Sequence, residues 1–155
     1  MLCLDFQELS EYLNARRADS GAAPSLLREV ALETYLAQRE KTFTELLFSL
    51  IRERCDGNEV DVYKRANVDR KLFSKIRSDR FYSPKKPTVL QFAIALHLTL
   101  EETRRLLRAA GYSLSQSAPF DLIITYYLER QVYDLNTINA ALYHFKQPML
   151  GVGVG

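Results

Sequence analysis

The stretch that decides the fold of this chain is residues 66–77, which read ANVDRKLFSKIR. Asn67 and Val68 predict a tight turn, because Asn is one of the few residues that tolerate left-handed backbone geometry. Asp69 is a favourable cap for the segment 70–78 that follows the turn. Apolar residues recur there at helical spacing, which predicts a short amphipathic helix. Its inward-facing residues are Leu72, Phe73 and Ile76.

Helical periodicity extends outward from this stretch, and no convincing period-2 alternation indicates a strand. Two capping boxes, Thr42 with Glu45 and Thr99 with Glu102, mark helix starts on either side of the central segment. The sequence therefore predicts an all-α fold. A helix is also expected over residues 5–15, and Ser25 is expected to cap the next helix. Further helices are expected to start at Ser117 and Pro119 and at Asp134.

Charge is distributed unevenly along the 155 residues, although the net charge is only +2. Residues 64–86 contain nine basic and two acidic side chains and carry +7. The remaining 132 residues contain 12 basic and 17 acidic side chains and carry −5. A cationic segment inside an anionic chain is typical of a local polyanion-binding face. The alternative interpretation is a solvated helix surface that is basic by chance.

Composition and motifs argue against several other classes. With 47% hydrophobic and 26% charged residues, the chain is typical of a globular protein. No apolar run approaches the roughly 20 residues that cross a bilayer, and no basic segment opens the chain, so we expect a cytoplasmic protein without membrane contact. Neither Cys3 and Cys55 nor His97 and His144 have metal-ligand spacing. Without a phosphate-binding glycine loop or a nucleophile elbow, the sequence predicts no enzyme, no cofactor and no metal.

The order of elements between residues 42 and 107 is typical of a helix-turn-helix unit. Its second helix, residues 70–78, has an apolar side that holds it and a polar side that is free to read base edges in a major groove. The residues predicted to contact bases are Arg70, Lys71, Ser74 and Lys75. The residues predicted to contact phosphates are Lys64, Arg65, Arg77, Arg80, Lys85 and Lys86.

Residues 66–77 resemble the turn and recognition helix of the phage-repressor-like helix-turn-helix domains, the Cro and XRE type. In that family a Gly-Val-Ser turn precedes an apolar pair, and Ser-Lys-Ile recurs later in the helix. The resemblance continues through Pro84, Leu90 and Ala93 to the segment Thr99-Leu100-Glu101-Glu102. It implies a lambda-repressor-like five-helix domain from a prokaryote or phage that binds double-stranded DNA and regulates transcription.

Three positions depart from the family pattern. Glu59 stands where a phosphate-binding Gln is usual, and a carboxylate there would repel a phosphate. Tyr63 replaces a small Ala that lets the two helices approach, and Asn67 stands where Gly is usual. The loop over residues 79–86 is also longer than is typical. The alternative function is therefore a non-catalytic protein–protein interaction adaptor built on the same fold.

The predicted organisation has four parts: an N-terminal helical extension (1–41), a helix-turn-helix domain (42–111), a C-terminal helical pair (112–150) and a flexible tail (151–155). Both extensions hold more apolar residues than a compact domain needs, which favours a homodimer formed through them. The aromatic residues of the pair are interpreted as core filler, with a partner surface as the alternative. They are Tyr126, Tyr127, Tyr133, Tyr143 and Phe145.

The loop after the recognition helix has two further candidate contacts. Phe81 and Tyr82 could stack on exposed bases, or fold back on the core of their own domain. The segment Ser83-Pro84-Lys85-Lys86 is similar to short Ser-Pro-basic-basic elements that lie in A·T-rich minor grooves. The alternative for this segment is a turn that prepares the next helix.

Overall fold

The structure is a computed structural model that describes residues 24–151, with side chains described from residue 27 onward. Within that range every regular element is an α-helix, which confirms the all-α prediction. The predicted helix over residues 5–15 and residues 152–155 of the predicted tail lie outside the described residues. The chain divides into two compact units, with the boundary between Glu40 and Lys41.

The described helix of the first unit, α1, covers Pro24–Ala37. The prediction that Ser25 caps this helix is wrong, because Ser25 lies inside it. Pro24 occupies the first helical position, where its fixed φ suits a helix and its missing N–H costs nothing. Several large apolar side chains of α1 are exposed, namely Val30, Leu32, Tyr35 and Leu36.

The second unit contains seven described helices. They are α2 (Phe43–Cys55), α3 (Glu59–Arg65), α4 (Arg70–Ser78), α5 (Lys86–Ala95), α6 (Leu100–Ala109), α7 (Pro119–Glu129) and α8 (Leu135–His144). Both predicted capping boxes form: the side chains of Thr42 and Thr99 accept hydrogen bonds from the N–H groups of Glu45 and Glu102, and the two carboxylates accept in return. These caps stabilise the first turns of α2 and α6.

Helix α5 forms the centre of the second unit. Its residues from Thr88 to Ala95 are all buried, as is typical of a helix surrounded by other elements. It packs against α3 and α6, and α2 packs against the same two helices. Helix α4 contacts this framework through its apolar side chains, which enter the same core.

The C-terminal pair shares this core, although the sequence predicts it as a segment of its own. Helices α7 and α8 pack on each other and α7 packs on α6. The cluster of buried apolar side chains around α5 also contains four residues of the pair: Ile124, Leu128, Ile138 and Leu142. The pair is therefore part of the second compact unit.

A tyrosine between α7 and α8 ties the pair to the centre of the unit. The hydroxyl of Tyr133 donates a hydrogen bond to the carbonyl of Leu98 at 2.9 Å. Burial, together with the negative charge of Glu102, raises the pKa of Tyr133 above its ordinary value, although Arg54 acts in the opposite direction. The phenol therefore stays a neutral donor throughout the physiological pH range.

The aromatic residues of the pair do not all belong to the core. Tyr126, Tyr143 and Phe145 are exposed, so the core-filler interpretation is wrong for these three. Tyr127 and Tyr133 are half-buried and pack against the core. The difference arises because the inner faces of α7 and α8 are already occupied by aliphatic side chains. None of the described helices has the length and hydropathy that a bilayer crossing requires.

Candidate nucleic-acid interface

The turn between α3 and α4 has the geometry predicted for it. Asn67 adopts a φ of +56°, in the left-handed region that Asn tolerates better than most residues. The N–H of Val68 donates to the carbonyl of Tyr63 at 2.9 Å, which closes the turn. Asp69 Oδ1 then accepts the N–H of Lys71 at 3.1 Å, so the predicted cap of α4 is confirmed.

The inner side of α4 is held by one aromatic ring at the centre of a cluster. Phe73 is only 2% exposed. Its ring centroid lies 5.0 Å from that of Tyr63, 5.6 Å from that of Phe48 and 6.1 Å from that of Phe92. Tilted aromatic pairs at such distances add to the stabilisation that burial provides. Phe73 therefore connects α4 to α2, α3 and α5 at once.

A second contact fixes the carboxyl end of α4. Ile76 is fully buried, and the hydroxyl of buried Thr44 donates to its carbonyl at 3.1 Å. Leu72 is half-buried, so it only partly follows the prediction that it faces inward. Together with Phe73, these contacts fix the rotation of α4 about its own axis and hence the residues that it presents to solvent.

The four predicted base-contacting residues all lie on the exposed side of α4: Arg70, Lys71, Ser74 and Lys75. Among the residues whose side chains are described, no carboxylate pairs with Arg70 or Lys71. Lys75 Nζ lies 5.7 Å from the ring centroid of Tyr82, so the loop after α4 runs beside this surface. We call these four exposed residues, which lie on the side away from the apolar set Leu72, Phe73 and Ile76, the outer face of α4.

Four of the six predicted phosphate-contacting residues fall into two groups. Lys64 and Lys85 are exposed, and neither has a carboxylate partner among the described side chains. Arg65 Nε lies 3.0 Å from Asp61 Oδ2, and Arg80 Nε lies 3.7 Å from Glu45 Oε1. These two arginines are exposed, and exposed ion pairs are weak enough to exchange for a phosphate.

Lys86 is engaged inside the protein. Its Nζ lies 2.7 Å from Asp121 Oδ1, and the Asp121 side chain is only 6% exposed. The other carboxylate oxygen of Asp121 accepts the N–H of Ser115 at 2.7 Å. This ion pair joins the start of α5 to the first turn of α7, so the structure directs Lys86 toward the C-terminal pair.

The segment Ser83-Pro84-Lys85-Lys86 has the features of a turn that prepares α5. The hydroxyl of Ser83 donates to the carbonyl of Ala110 at 2.8 Å, and Pro84 is buried. Lys86 is held by Asp121, so only Lys85 of the two lysines is exposed. These contacts favour the turn over the minor-groove element as the role of this segment.

Glu59 and Arg77 form an ion pair that sequence reasoning missed. Glu59 begins α3 and Arg77 lies in the last turn of α4, so no local pattern joins them. The guanidinium of Arg77 also lies 5.6 Å from the ring centroid of Phe73 and 5.9 Å from that of Phe48. The carboxylate expected to repel a phosphate is thus neutralised by a residue expected to bind one.

The two aromatic residues of the loop between α4 and α5 differ in burial. Tyr82 is half-buried and packs against the core, as the fold-back alternative predicts. Phe81 is 68% exposed, so that alternative is wrong for this residue. The N–H of Phe81 donates to Asp79 Oδ1 at 3.0 Å, and the N–H of Tyr82 donates to the carbonyl of Asp79 at 3.1 Å.

The residues considered for other chemistry are dispersed. Among the described residues, no three His, Cys, Asp or Glu side chains lie close enough together to hold a metal ion. His97 is exposed and stacks on Tyr133, with ring centroids 4.7 Å apart. The guanidinium of Arg65 donates to Cys55 Sγ at 3.3 Å, so the described neighbour of this thiol is a cation and not a base.

Comparison with protein families, curated proteins and solved structures gives no match. Inferences about function therefore depend on the geometry and charge of α4 and of the loop that follows it.

Proposed function

We propose that this chain is a DNA-binding transcriptional regulator that inserts α4 into the major groove of duplex DNA. The outer face of α4 carries the proposal: it presents Arg70 and Lys71, which have no carboxylate partner among the described side chains, on a helix whose inner side is fixed by Phe73. A fixed helix loses little conformational freedom when it binds. The protein would be non-catalytic and would need no cofactor.

The arrangement of α2 to α6 supports a lambda-repressor-like five-helix domain as the fold behind this function. The buried α5 and the turn at Asn67 fit such a domain. Each of the three positions that depart from the family pattern also has a local compensation. Asn67 adopts the positive φ for which the family uses Gly, and the Tyr63 ring packs on Phe73. Glu59 is neutralised by Arg77.

The proposed contacts are of two kinds. Contacts to bases determine which DNA sequence is bound, and contacts to phosphates position the protein on the duplex. Arg70 at the amino end of α4 would read guanine, a bidentate contact worth roughly 1–3 kcal/mol of discrimination. Lys71, Ser74 and Lys75 complete the base-reading surface. Lys64 and Lys85 would bind phosphates directly, whereas Arg65 and Arg80 would do so by exchanging a surface carboxylate for a phosphate.

A fluorescence anisotropy titration on mixed genomic duplex DNA across a salt series tests this proposal. Binding should weaken as salt rises, with a logarithmic slope of about 0.9 for each phosphate contact. The variant Arg70→Ala, Lys71→Ala, Lys75→Ala should lose affinity at every salt concentration. The matched control removes three exposed charges of α6: Arg104, Arg105 and Arg108. Equal affinity of the two triple variants would contradict the assigned face.

A second candidate function is a protein–protein interaction through the C-terminal pair. An apolar groove of about 430 Å³ between α7 and α8 favours it. Tyr126 and Phe145 both line this groove and stand exposed at its rim. Because rings and groove share one face, two copies related by a two-fold axis could each insert a ring into the groove of the other. The proposed occupant is therefore a second copy of the chain.

Sedimentation equilibrium tests this second candidate. The wild-type chain should dimerise as its concentration rises, and the variant Tyr126→Ala, Phe145→Ala should shift the equilibrium toward the monomer. The control substitution Phe81→Ala removes a similarly exposed ring from a different surface. A wild-type chain that stays monomeric up to millimolar concentration would refute the dimer.

A further inference from the structure

The segment that follows α8 returns to the core of the second unit. We call residues 147–151 the C-terminal strap. Leu150 of the strap is only 1% exposed and belongs to the cluster of apolar side chains around α5. Half-buried Asn139 of α8 binds the backbone of Leu150 twice: its Oδ1 accepts the N–H at 2.7 Å, and its Nδ2 donates to the carbonyl at 2.9 Å. One amide and one buried side chain therefore fix the strap on α8.

The end of the strap contacts the turn that precedes α4. Asn67 Nδ2 donates to the carbonyl of Gly151 at 3.4 Å. Gln91 of α5 is buried behind the same turn, and its Nε2 donates to the carbonyl of Ala66 at 2.8 Å and to that of Asn67 at 3.3 Å. The turn is therefore held from one side by the core and from the other by the strap.

Gly151 is the residue that permits this close approach. Its φ is +72°, in the left-handed region that favours glycine. A Cβ at this position would lie 2.9 Å from Gln91 Nε2 and 3.0 Å from Asn67 Nδ2, so at least one of the two amides would have to move. A side chain at position 151 would thus disturb the contact between the strap and the turn.

The turn holds the end of α4 that the core contacts do not. Phe73 and Ile76, the buried residues of α4, lie in its middle and near its carboxyl end. Arg70 and Lys71 lie at its amino end, directly after the turn. The amino end of a helix in a major groove contacts base edges, and such contacts need a closely defined geometry. A small movement of the turn would therefore displace Arg70 from the base that it reads.

We propose that the C-terminal strap is a positioning element for base recognition: by holding Asn67, it sets the place of Arg70 on the outer face of α4. The inference rests on the proposed DNA-binding function. Asn139, Asn67 and Gly151 are positioning residues, which act on recognition through the turn. The strap also accounts for Asn67, because a Gly there would accept the same φ but would have no amide to donate to Gly151.

The test compares the affinity of the full chain for two duplexes. One is enriched from mixed genomic fragments by retention on the protein, and the other has the same length and base composition in scrambled order. The variants are Asn67→Gly, Asn139→Ala and Gly151→Ala, all of which leave the charge of the protein unchanged. The control is Asn136→Ala, which removes an exposed amide of α8 that has no hydrogen-bond partner among the described residues.

Each of the three variants should lower the ratio of specific to non-specific affinity by about tenfold, the order of one bidentate base contact, while binding to the scrambled duplex stays salt-dependent. The ratio does not depend on the fraction of protein that is folded, so a loss of stability alone leaves it unchanged. Asn136→Ala should match the wild type. A ratio that is unchanged in Asn139→Ala and Gly151→Ala would overturn the positioning role. A wild type that binds both duplexes equally would overturn it as well.

Hydrogen exchange separates this inference from the proposed function. The N–H of Val68 donates to the carbonyl of Tyr63 across the turn, so its exchange rate reports whether the turn opens. Asn139→Ala and Gly151→Ala should speed the exchange of Val68 relative to that of Tyr112, whose N–H closes a different loop. Absence of wild-type duplex binding at low salt would overturn the proposed function and the effect on recognition. Unchanged relative exchange of Val68 would overturn the strap whatever the DNA result.

Discussion

The ring of Phe73 on α4 packs on the ring of Tyr63 on α3, with centroids 5.0 Å apart. Tyr63 therefore supplies an aromatic surface against which α4 packs. The same ring cluster includes Phe48 and Phe92, so the orientation of α4 depends on side chains from three other helices.

Replacing Phe73 by Ala should lower the free energy of unfolding by about 3–5 kcal/mol, because a buried ring is lost and a cavity remains. Tyr63→Ala should lower the free energy of unfolding by a smaller amount, since Tyr63 is only half-buried. Urea denaturation followed by far-UV circular dichroism measures both. Tyr143→Ala, which truncates an exposed ring outside the groove between α7 and α8, serves as the control and should stay within about 0.5 kcal/mol of the wild type. A Phe73→Ala loss as small as that of the control would contradict the central role of the ring.

The Glu59–Arg77 pair predicts a specific pattern of DNA affinities. Arg77→Ala leaves the Glu59 carboxylate without its cation, so duplex binding should weaken because the carboxylate repels phosphates. Glu59→Gln frees Arg77 and should strengthen binding at low salt. The double variant should lie close to the wild type. Anisotropy titrations of all four proteins measure these affinities, and an affinity of Arg77→Ala equal to that of the wild type would contradict the pattern.

Lys85 and Lys86 are adjacent, yet the structure predicts different roles for them. Lys85→Ala should weaken duplex binding and reduce the logarithmic salt slope by about 1, because one phosphate contact is lost. Lys86→Ala should leave that slope unchanged and instead lower the free energy of unfolding, since it deprives buried Asp121 of its cation. Anisotropy and urea denaturation measure the two effects. A change of equal size in the salt slope of both variants would contradict the assignment of a phosphate contact to Lys85 and of a structural ion pair to Lys86.

Glu102 predicts a pH dependence of stability. Burial raises its pKa, but hydrogen bonds from Thr99 and the charge of Arg54 outweigh burial, so that the pKa of Glu102 lies below its ordinary value. A carboxylate with a lowered pKa contributes stability above its unfolded-state pKa and loses it as the pH falls through the folded-state value. Glu102→Gln should therefore be less stable than the wild type at about pH 7, by up to about 1 kcal/mol because both side chains of the pair are partly exposed to solvent.

The difference between wild type and Glu102→Gln should vanish when both are unfolded by urea at about pH 2, where the carboxylate is protonated. The control is Glu101→Gln, which removes a far more exposed carboxylate from the same helix turn. A stability gap for Glu102→Gln that is the same at both pH values would show that its charge plays no part.

Features set by neighbouring residues were predictable from the sequence. The Asp69 cap, the left-handed Asn67 and both capping boxes depend on a few consecutive positions. The bounds of α4 and the burial of Phe73 and Ile76 follow from the same local pattern. Even local rules compete, however: Pro24 starts α1 one residue before the Ser25 cap that the sequence favours.

Features set by distant residues were not predictable in this way. The partners of Arg77 and Lys86 lie on other helices, so their ion pairs arise only from the packing of α3 on α4 and of α7 beside α5. The exposure of Phe145 and Phe81 likewise depends on which neighbours fill the inner positions. An aromatic residue in a helical pattern predicts burial in general, but competition for the core decides each case.

The division of α4 into an inner and an outer side separates two kinds of selective pressure. Phe73 and Ile76 are constrained by the core, where a lost ring or branch costs stability. Arg70, Lys71, Ser74 and Lys75 are exposed, and substitutions at such positions usually change stability by less than about 0.5 kcal/mol. Descendants of this protein can therefore vary the surface that α4 presents while inheriting the scaffold beneath it unchanged.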